Sequence, residues 1–209
     1  KVLVTVGTTS HDVLISLCTS TSFASSLIST RNSLIEANKA PCSDEQKSRG
    51  SRKDGLAEKE LDTGGSIKVW IQYGGMDKDV IENRLTKALQ PFMGTNKKAP
   101  NGAIPNSSTI STTINSTPIS FIFFPYTPNL PALTSTSDLI LTHCGAGSVL
   151  ESYRSPSKPA VVVVPNETLM DNHQLELAEV VGGMGMGVWV NGEAGKGVDR
   201  EAEFALYVK

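Results

Sequence analysis

The apolar positions of this chain fall into short runs separated by polar, glycine-rich and proline-rich stretches, and the period within the runs switches between strand and helix. Residues 1–6 are apolar and β-branched, as a buried first strand should be. The hydroxyls of Gly7-Thr8-Thr9-Ser10 are placed to cap a helix. Val13, Leu14 and Leu17 then recur at helical spacing, Phe23 and Leu27 continue it, and Asp12 adds favourable charge to the first turn. Residues 67–73 alternate as a strand and end in Gly74-Gly75. Ile81, Leu85, Ala88 and Leu89 mark one face of a helix that stops before Pro91. Residues 119–125 read as another strand, 128–137 leave room for a short helix, and 139–141 form a short buried strand before a helix opening near Gly147. The β-branched run 160–165 predicts a strand covered on both faces. Residues 173–181 predict a helix with Gln174, Leu177 and Val181 on one face and Asn172 as its cap. The glycine-rich 182–187 leads to a short strand at 188–190, and the tail offers only a helix from Asp199.

Strands alternating with helices predict an α/β fold with a parallel sheet and crossover helices. In such sheets ligands sit beyond the carboxyl ends of the strands, so the loops of interest are 7–10, 73–75, 143–148 and 166–174. Two polar segments interrupt the pattern. Residues 38–66 carry only Leu56 and Leu61 as large apolar residues, and 94–118 are rich in Asn, Ser, Thr and Pro. Both are expected to be disordered insertions in one domain spanning 1–209.

Composition narrows the function. With 19 basic against 21 acidic residues the net charge is −2, which supplies no field for nucleic acid. No run of about 18 apolar residues exists to span a bilayer, and residues 20–31 are too polar for a signal-peptide core. Cys18, Cys42 and Cys144 are odd in number and widely spaced, which fits a reduced, cytosolic setting better than a disulfide framework. The N-glycosylation patterns at Asn106, Asn115 and Asn166 are read as chance matches in Ser/Thr-rich sequence.

The chemistry concentrates at His143-Cys144-Gly145-Ala146-Gly147-Ser148-Val149-Leu150-Glu151. Small residues let a backbone approach a ligand, and a helix starting there aims unpaired N–H groups and the positive end of its dipole at an anion, above all a phosphate. Glu151 lies about one turn further on, placed for a neighbouring sugar diol. A dinucleotide fingerprint is disfavoured, because Leu150 stands where the third glycine belongs and the motif comes late in the chain; no P-loop is present. His11, His143 and His173 all fall on the ligand edge, but neither an H-x-x-x-H pair nor a cysteine pair supports a metal, and they read as polar loop residues. Cys144 beside a helix start has no evident base, which disfavours a nucleophile.

Val4-Thr5-Val6-Gly7-Thr8-Thr9, the 143–151 stretch and Asn166-Glu167-Thr168-Leu169-Met170-Asp171-Asn172-His173-Gln174-Leu175-Glu176-Leu177-Ala178 together resemble one family. They are similar to the soluble donor-binding subunits of eukaryotic UDP-N-acetylglucosamine transferases, and so to the C-terminal half of glycosyltransferase family 28 enzymes. The resemblance implies a Rossmann-like, donor-binding half of a GT-B enzyme. It implies transfer of GlcNAc from UDP-GlcNAc to dolichyl-diphosphate-GlcNAc with inversion, with no metal and no cofactor. It further implies a membrane-anchored, acceptor-binding partner at the cytosolic face of the endoplasmic reticulum. Carried over, Gly145, Ala146, Gly147 and Ser148, with His143, would hold the diphosphate. Glu151 would bind the ribose, Asn172, His173 and Gln174 would read the GlcNAc, and Gly7, Thr8 and Thr9 would line the cleft. Departures from the family pattern are Cys144 for alanine, His11 for an aromatic residue and Gly75 for an arginine. No residue stands out as the general base, which is expected from the partner. Two other readings stay open: a non-catalytic nucleotide-sugar-binding scaffold, and the donor half of a single-chain glycosyltransferase.

Overall fold

Valine-rich Val2–Thr5 (β1) is buried along its whole length, and it lies at the centre of an eight-stranded sheet. The computed structural model describes residues 1–39, 65–92, 97–100, 104–166, 173–190 and 204. After β1 come helices α1 (Asp12–Cys18) and α2 (Thr21–Lys39), strand β2 (Ile67–Gln72) and helix α3 (Lys78–Leu89). Strands β3 (Lys97–Pro100), β4 (Ser108–Ile114) and β5 (Thr117–Phe124) follow, then α4 (Leu130–Thr134) and β6 (Leu139–Thr142). The chain continues through α5 (Ala146–Arg154), β7 (Ala160–Val163), α6 (His173–Gly183) and β8 (Val188–Trp189).

The strand order is β3-β4-β5-β2-β1-β6-β7-β8. From β5 to β8 every neighbouring pair is parallel; β3 and β4 add an antiparallel edge. This is the α/β, Rossmann-like sheet the alternation predicts, with an extension it does not. The chain winds from β1 through α1 and α2 to β2 and on to β5, then returns through α4 to β6 and proceeds the other way to β8. Direction therefore reverses between adjacent β1 and β6, which makes their carboxyl ends a topological switch point.

Side-chain alternation divides the core into two layers. Val2, Val4, Ile71, Phe121, Phe123 and Val162 pack with Leu14, Phe23, Ile28, Ile81 and Leu85 of α1 to α3. Val161 and Val163, on the opposite face, pack with Val149 of α5 and with Ala178 and Val181 of α6. The β7 run is covered on both faces, as its unbroken valines require. Asp77 caps α3 by accepting the Asp79 N–H at 2.9 Å, a contact worth about 1 kcal/mol. Phe204, from the tail, is buried beside Phe23 with ring centroids 5.7 Å apart.

Three expectations need correction or lie out of view. Within the expected insertion 94–118, the described residues form strands β3 and β4 and open β5. Ile110, Thr112 and Ile114 are buried at alternate positions of β4, and Asn115 and Ser116, with φ of 48° and 63°, close a two-residue hairpin into β5. Threonine-rich sequence reads as polar, yet threonine is β-branched and suits a half-buried strand. The hydroxyls of residues 7–10 do not cap α1. His11 is its N-cap residue and makes no side-chain capping bond, and the Thr9 hydroxyl donates back to the Val6 carbonyl at 3.1 Å. The proposed insertion 38–66 falls for the most part outside the described residues, as do Asn172 and all of the tail except Phe204.

Candidate functional site

The registers align Thr5, Gln72 and Thr142 across β2, β1 and β6, so the loops that follow leave from one edge. Thr5 donates its hydroxyl to the Gln72 side-chain oxygen at 2.6 Å, and both residues are buried. The Thr5 carbonyl takes the Nδ1–H of His143 at 3.1 Å and the His143 backbone N–H at 3.3 Å. A carbonyl can only accept, so Nδ1 carries the ring proton. Burial holds the His143 pKa below the ordinary histidine value, outweighing the upward pull of the Thr5 bond. The ring is neutral at pH 7.

Its far edge lies against two glycines. A Cβ on Gly7, where φ is +66°, would meet His143 Cε1 at 3.1 Å, and one on Gly145 would meet Nε2 at 2.5 Å. His143 is thus a wedge between the β1 and β6 loops, which close on it because both offer bare backbone. The β2 loop is packed as tightly: Gly74, at φ +61°, leaves no room for a side chain beside the Thr9 carbonyl, and a Cβ on Gly75 would lie 3.2 Å from Ser10 Oγ.

The turn into α5 is made by Cys144, not by a glycine, and its φ of +68° is strained by about 1–2 kcal/mol for a residue with a Cβ. Its thiol packs with Val149, Val163 and Ala178, and burial pushes its pKa up to about 12. A thiol held that firmly protonated is no nucleophile at neutral pH. Gly145 has ordinary extended φ and ψ as the N-cap and makes no side-chain cap bond. The first helical bond runs from the Val149 N–H to the Gly145 carbonyl at 3.0 Å. The N–H groups of Ala146, Gly147 and Ser148 therefore have no helical partner. Ala146 and Gly147 are exposed, and a Cβ on Gly147 would meet nothing within 4 Å. Half-buried Ser148 and Glu151 sit one turn apart on the same side of the helix.

A second set of bonds ties the β1 loop to the region after β7. His11, buried, donates from Nε2 to the Val164 carbonyl at 2.8 Å. The Asn166 side-chain NH2 donates to the Ser10 carbonyl at 3.0 Å, and the Asn166 backbone N–H donates to Gln174 Oε1 at 3.0 Å. Gln174 is half-buried at the start of α6; His173 is exposed, with its Nδ1 4.0 Å from a Glu176 carboxylate oxygen. The expected site residues thus gather around the loops after β1, β6 and β7. Thr8 is exposed at the rim, Gly7 and Thr9 lie deeper, and Asn172 is outside the described residues. The three histidines serve separate carbonyl or carboxylate partners, and among the described residues no group of three His, Cys, Asp or Glu side chains comes together. Sequence reasoning assigned no role to Thr5, Gln72 or Asn166. The available signal was a buried polar residue at the very end of an apolar strand run.

Residues 1–188 match the glycosyltransferase family 28 C-terminal domain. The chain belongs to that family. Among relatives, a UDP-N-acetylglucosamine transferase subunit ALG13 of Yarrowia lipolytica is 48% identical over 56 residues, covering 27% of this chain and 28% of the relative. The subunit of the same name in Homo sapiens is 50% identical over 54 residues, 26% of this chain and 5% of the relative. That of Kluyveromyces lactis is 32% identical over 116 residues, 55% of this chain and 57% of the relative. The matches span about a quarter of the first of these relatives and little more than half of the last. No solved structure matches the chain significantly. In this family 28 C-terminal domain the exposed helix start lies at the switch point, and the motif at 143–151 is the turn after β6 and the first turns of α5 that build it.

Proposed function

We propose that the chain binds UDP-GlcNAc and, with a membrane-anchored acceptor-binding partner at the cytosolic face of the endoplasmic reticulum, transfers GlcNAc to GlcNAc-diphosphodolichol. The observation that carries this reading is the uncapped start of α5 at the β1–β6 switch point, with open space above Gly147 and Glu151 one turn along. The diphosphate lies over the N–H groups of Ala146, Gly147 and Ser148, and Glu151 accepts from the ribose hydroxyls. Transfer inverts the sugar: O4 of the acceptor GlcNAc bonds to the anomeric carbon as the bond to the β-phosphate oxygen breaks. The electron pair leaves with UDP, where the helix start stabilises the growing charge, a preorganised donor being worth about 3 kcal/mol. The O4 proton goes to a base supplied by the partner.

Co-expression of the chain with the acceptor-binding partner, followed by an assay for GlcNAc transfer to the lipid acceptor, tests the reading. Transfer should need both proteins, and calorimetry on the complex should show UDP and UDP-GlcNAc bound in preference to NAD. Absence of uridine nucleotide binding in the complex, or preference for NAD, overturns it.

A further inference from the structure

Asn166 is 3% exposed, yet it follows a strand run of valines and lies in a loop. A buried amide in such a place needs a partner, and this residue is held both by the loop after β1 and by the start of α6. Its side chain reaches the Ser10 carbonyl, and its own backbone N–H reaches Gln174 Oε1, each at 3.0 Å. Two residues earlier the Val164 carbonyl takes the His11 ring at 2.8 Å. Pro165 between them fixes its own φ and stiffens the link. The loop after β1, the end of β7 and the start of α6 are thereby tied together, by the Asn166 side chain, the Asn166 backbone N–H and the His11 ring.

We propose that Asn166 is a positioning residue that sets which end of the Gln174 amide the site presents. Chemistry decides the orientation. A backbone N–H can donate only to an oxygen, so Oε1 of Gln174 is turned inward and committed. What Gln174 turns outward to a ligand is its Nε2 group, with two hydrogens to donate. The group read there is a hydrogen-bond acceptor, such as a sugar hydroxyl lone pair or an acetamido carbonyl. Anchoring to Ser10 matters because it holds the Asn166 backbone where its N–H meets Gln174; without it the amide is free to turn over. This inference rests on the nucleotide-sugar reading above and adds to it the polarity of the sugar contact.

The test compares UDP-GlcNAc with UDP by calorimetry on the full chain in complex with the acceptor-binding partner, as wild type, Asn166→Asp and Gln174→Glu. Asn166→Asp sets an oxygen against the Ser10 carbonyl. Gln174→Glu keeps an oxygen for the Asn166 N–H and removes only the outward donors. Taking the ratio of the two affinities cancels any effect of charge on the shared diphosphate. Wild type should bind UDP-GlcNAc more tightly than UDP, and both variants should lose about tenfold of that ratio, the net worth of roughly one good hydrogen bond. An unchanged ratio in either variant, or a wild type that binds the two equally, overturns the proposal. So does an Asn166→Asp variant that loses both ligands in parallel, which marks general loosening of the loops. Should Asn166→Asp fail to fold, Gln174→Glu decides alone. A wild type that binds neither ligand is a failure of the nucleotide-sugar reading itself, and the positioning role falls with it.

Discussion

Replacing either of two glycines in the β6–α5 turn by alanine should give opposite results. At Gly145 the new methyl would sit 2.5 Å from His143 Nε2 and 2.8 Å from Cε1. To reach ordinary van der Waals contact the ring must retreat by about 1 Å. It is pinned on the other side by the Thr5 carbonyl and flanked by Gly7. Overpacking of this kind costs about 1–3 kcal/mol, and losing the Thr5 bond adds about 1 kcal/mol. Gly145→Ala should therefore lower stability by about 2–4 kcal/mol, or roughly 4–16 °C in melting temperature for a domain of this size. At Gly147 a methyl would meet no atom of the protein, and the position is helical. Gly147→Ala should raise stability by about 0.5–1 kcal/mol through helix propensity. The same methyl would occupy the space assigned to the diphosphate, so UDP affinity should fall on the order of tenfold or more. Thermal melts of both variants and a UDP titration of Gly147→Ala provide the measurements. If Gly145→Ala melts with wild type, His143 is not the wedge that shapes the turn. If Gly147→Ala binds UDP like wild type, the diphosphate does not lie over this helix start.

Because His143 is neutral when buried, its folded pKa lies below the ordinary 6.5. Its contribution is complete above about pH 6.5 and is lost as pH falls through the folded value. Denaturant titrations from pH 7.5 to 5 should show wild type losing more stability than His143→Asn, and parallel losses would contradict this. Cys144, its pKa pushed up to about 12, should resist iodoacetamide at pH 8 in the native protein and react only on unfolding; fast native alkylation would overturn its assignment as an inert core residue. Phe204→Ala should destabilise the chain by about 3–5 kcal/mol, read by urea denaturation, because it empties a fully buried place beside Phe23. In the complex with its partner, Glu151→Ala should mainly raise KM and Ser148→Ala should mainly lower kcat, since ribose contacts persist through the reaction while charge grows at the helix start. UDP-GlcNAc affinity unchanged by Glu151→Ala, or a Ser148→Ala effect confined to KM, would refute those roles.

Most of the sheet was legible because its strands are buried on both faces and its helices carry one apolar stripe. Val2–Thr5, Ile67–Gln72, Leu139–Thr142 and Ala160–Val163 are all strands in the places the apolar runs indicate. The β3–β4 extension was missed because β4 buries chiefly one face, where Ile110, Thr112 and Ile114 alternate with serine and threonine. The turn at 143–147 was legible as a motif but not as a mechanism. Its glycines were read as opening the backbone to a ligand, whereas the left-handed residue is Cys144 and Gly145 is required by the His143 ring. That reason is tertiary, since it depends on a histidine anchored to a strand 138 residues earlier in the chain. The cross-ties of His11 and Asn166 share this character. Each joins segments more than 150 residues apart, and no local spacing can announce them.

The arrangement also bears on why a second protein belongs in the proposed reaction. The groups assigned to the donor are backbone N–H groups and short side chains at the ends of buried strands, held by bonds that already exist before any ligand arrives. Such groups stabilise developing charge without reorganising, which is what loss of UDP demands. They are equally unsuited to taking a proton. The Nδ1 of His143 is committed to Thr5, and its other edge is enclosed by Gly7 and Gly145. The Cys144 thiol is buried and protonated. His11 is buried against Val164, and Glu151 is assigned to the ribose. His173, exposed beside Glu176, is on the α6 side with the residues that read the sugar. Under the proposed reading the helix start suits a nucleotide sugar and its leaving diphosphate, and none of the side chains just named is placed to take the proton of the incoming hydroxyl. In the proposed complex the proton acceptor enters from the acceptor side of the cleft, across from α5. In that proposed complex this chain would hold the donor and its partner would supply the base.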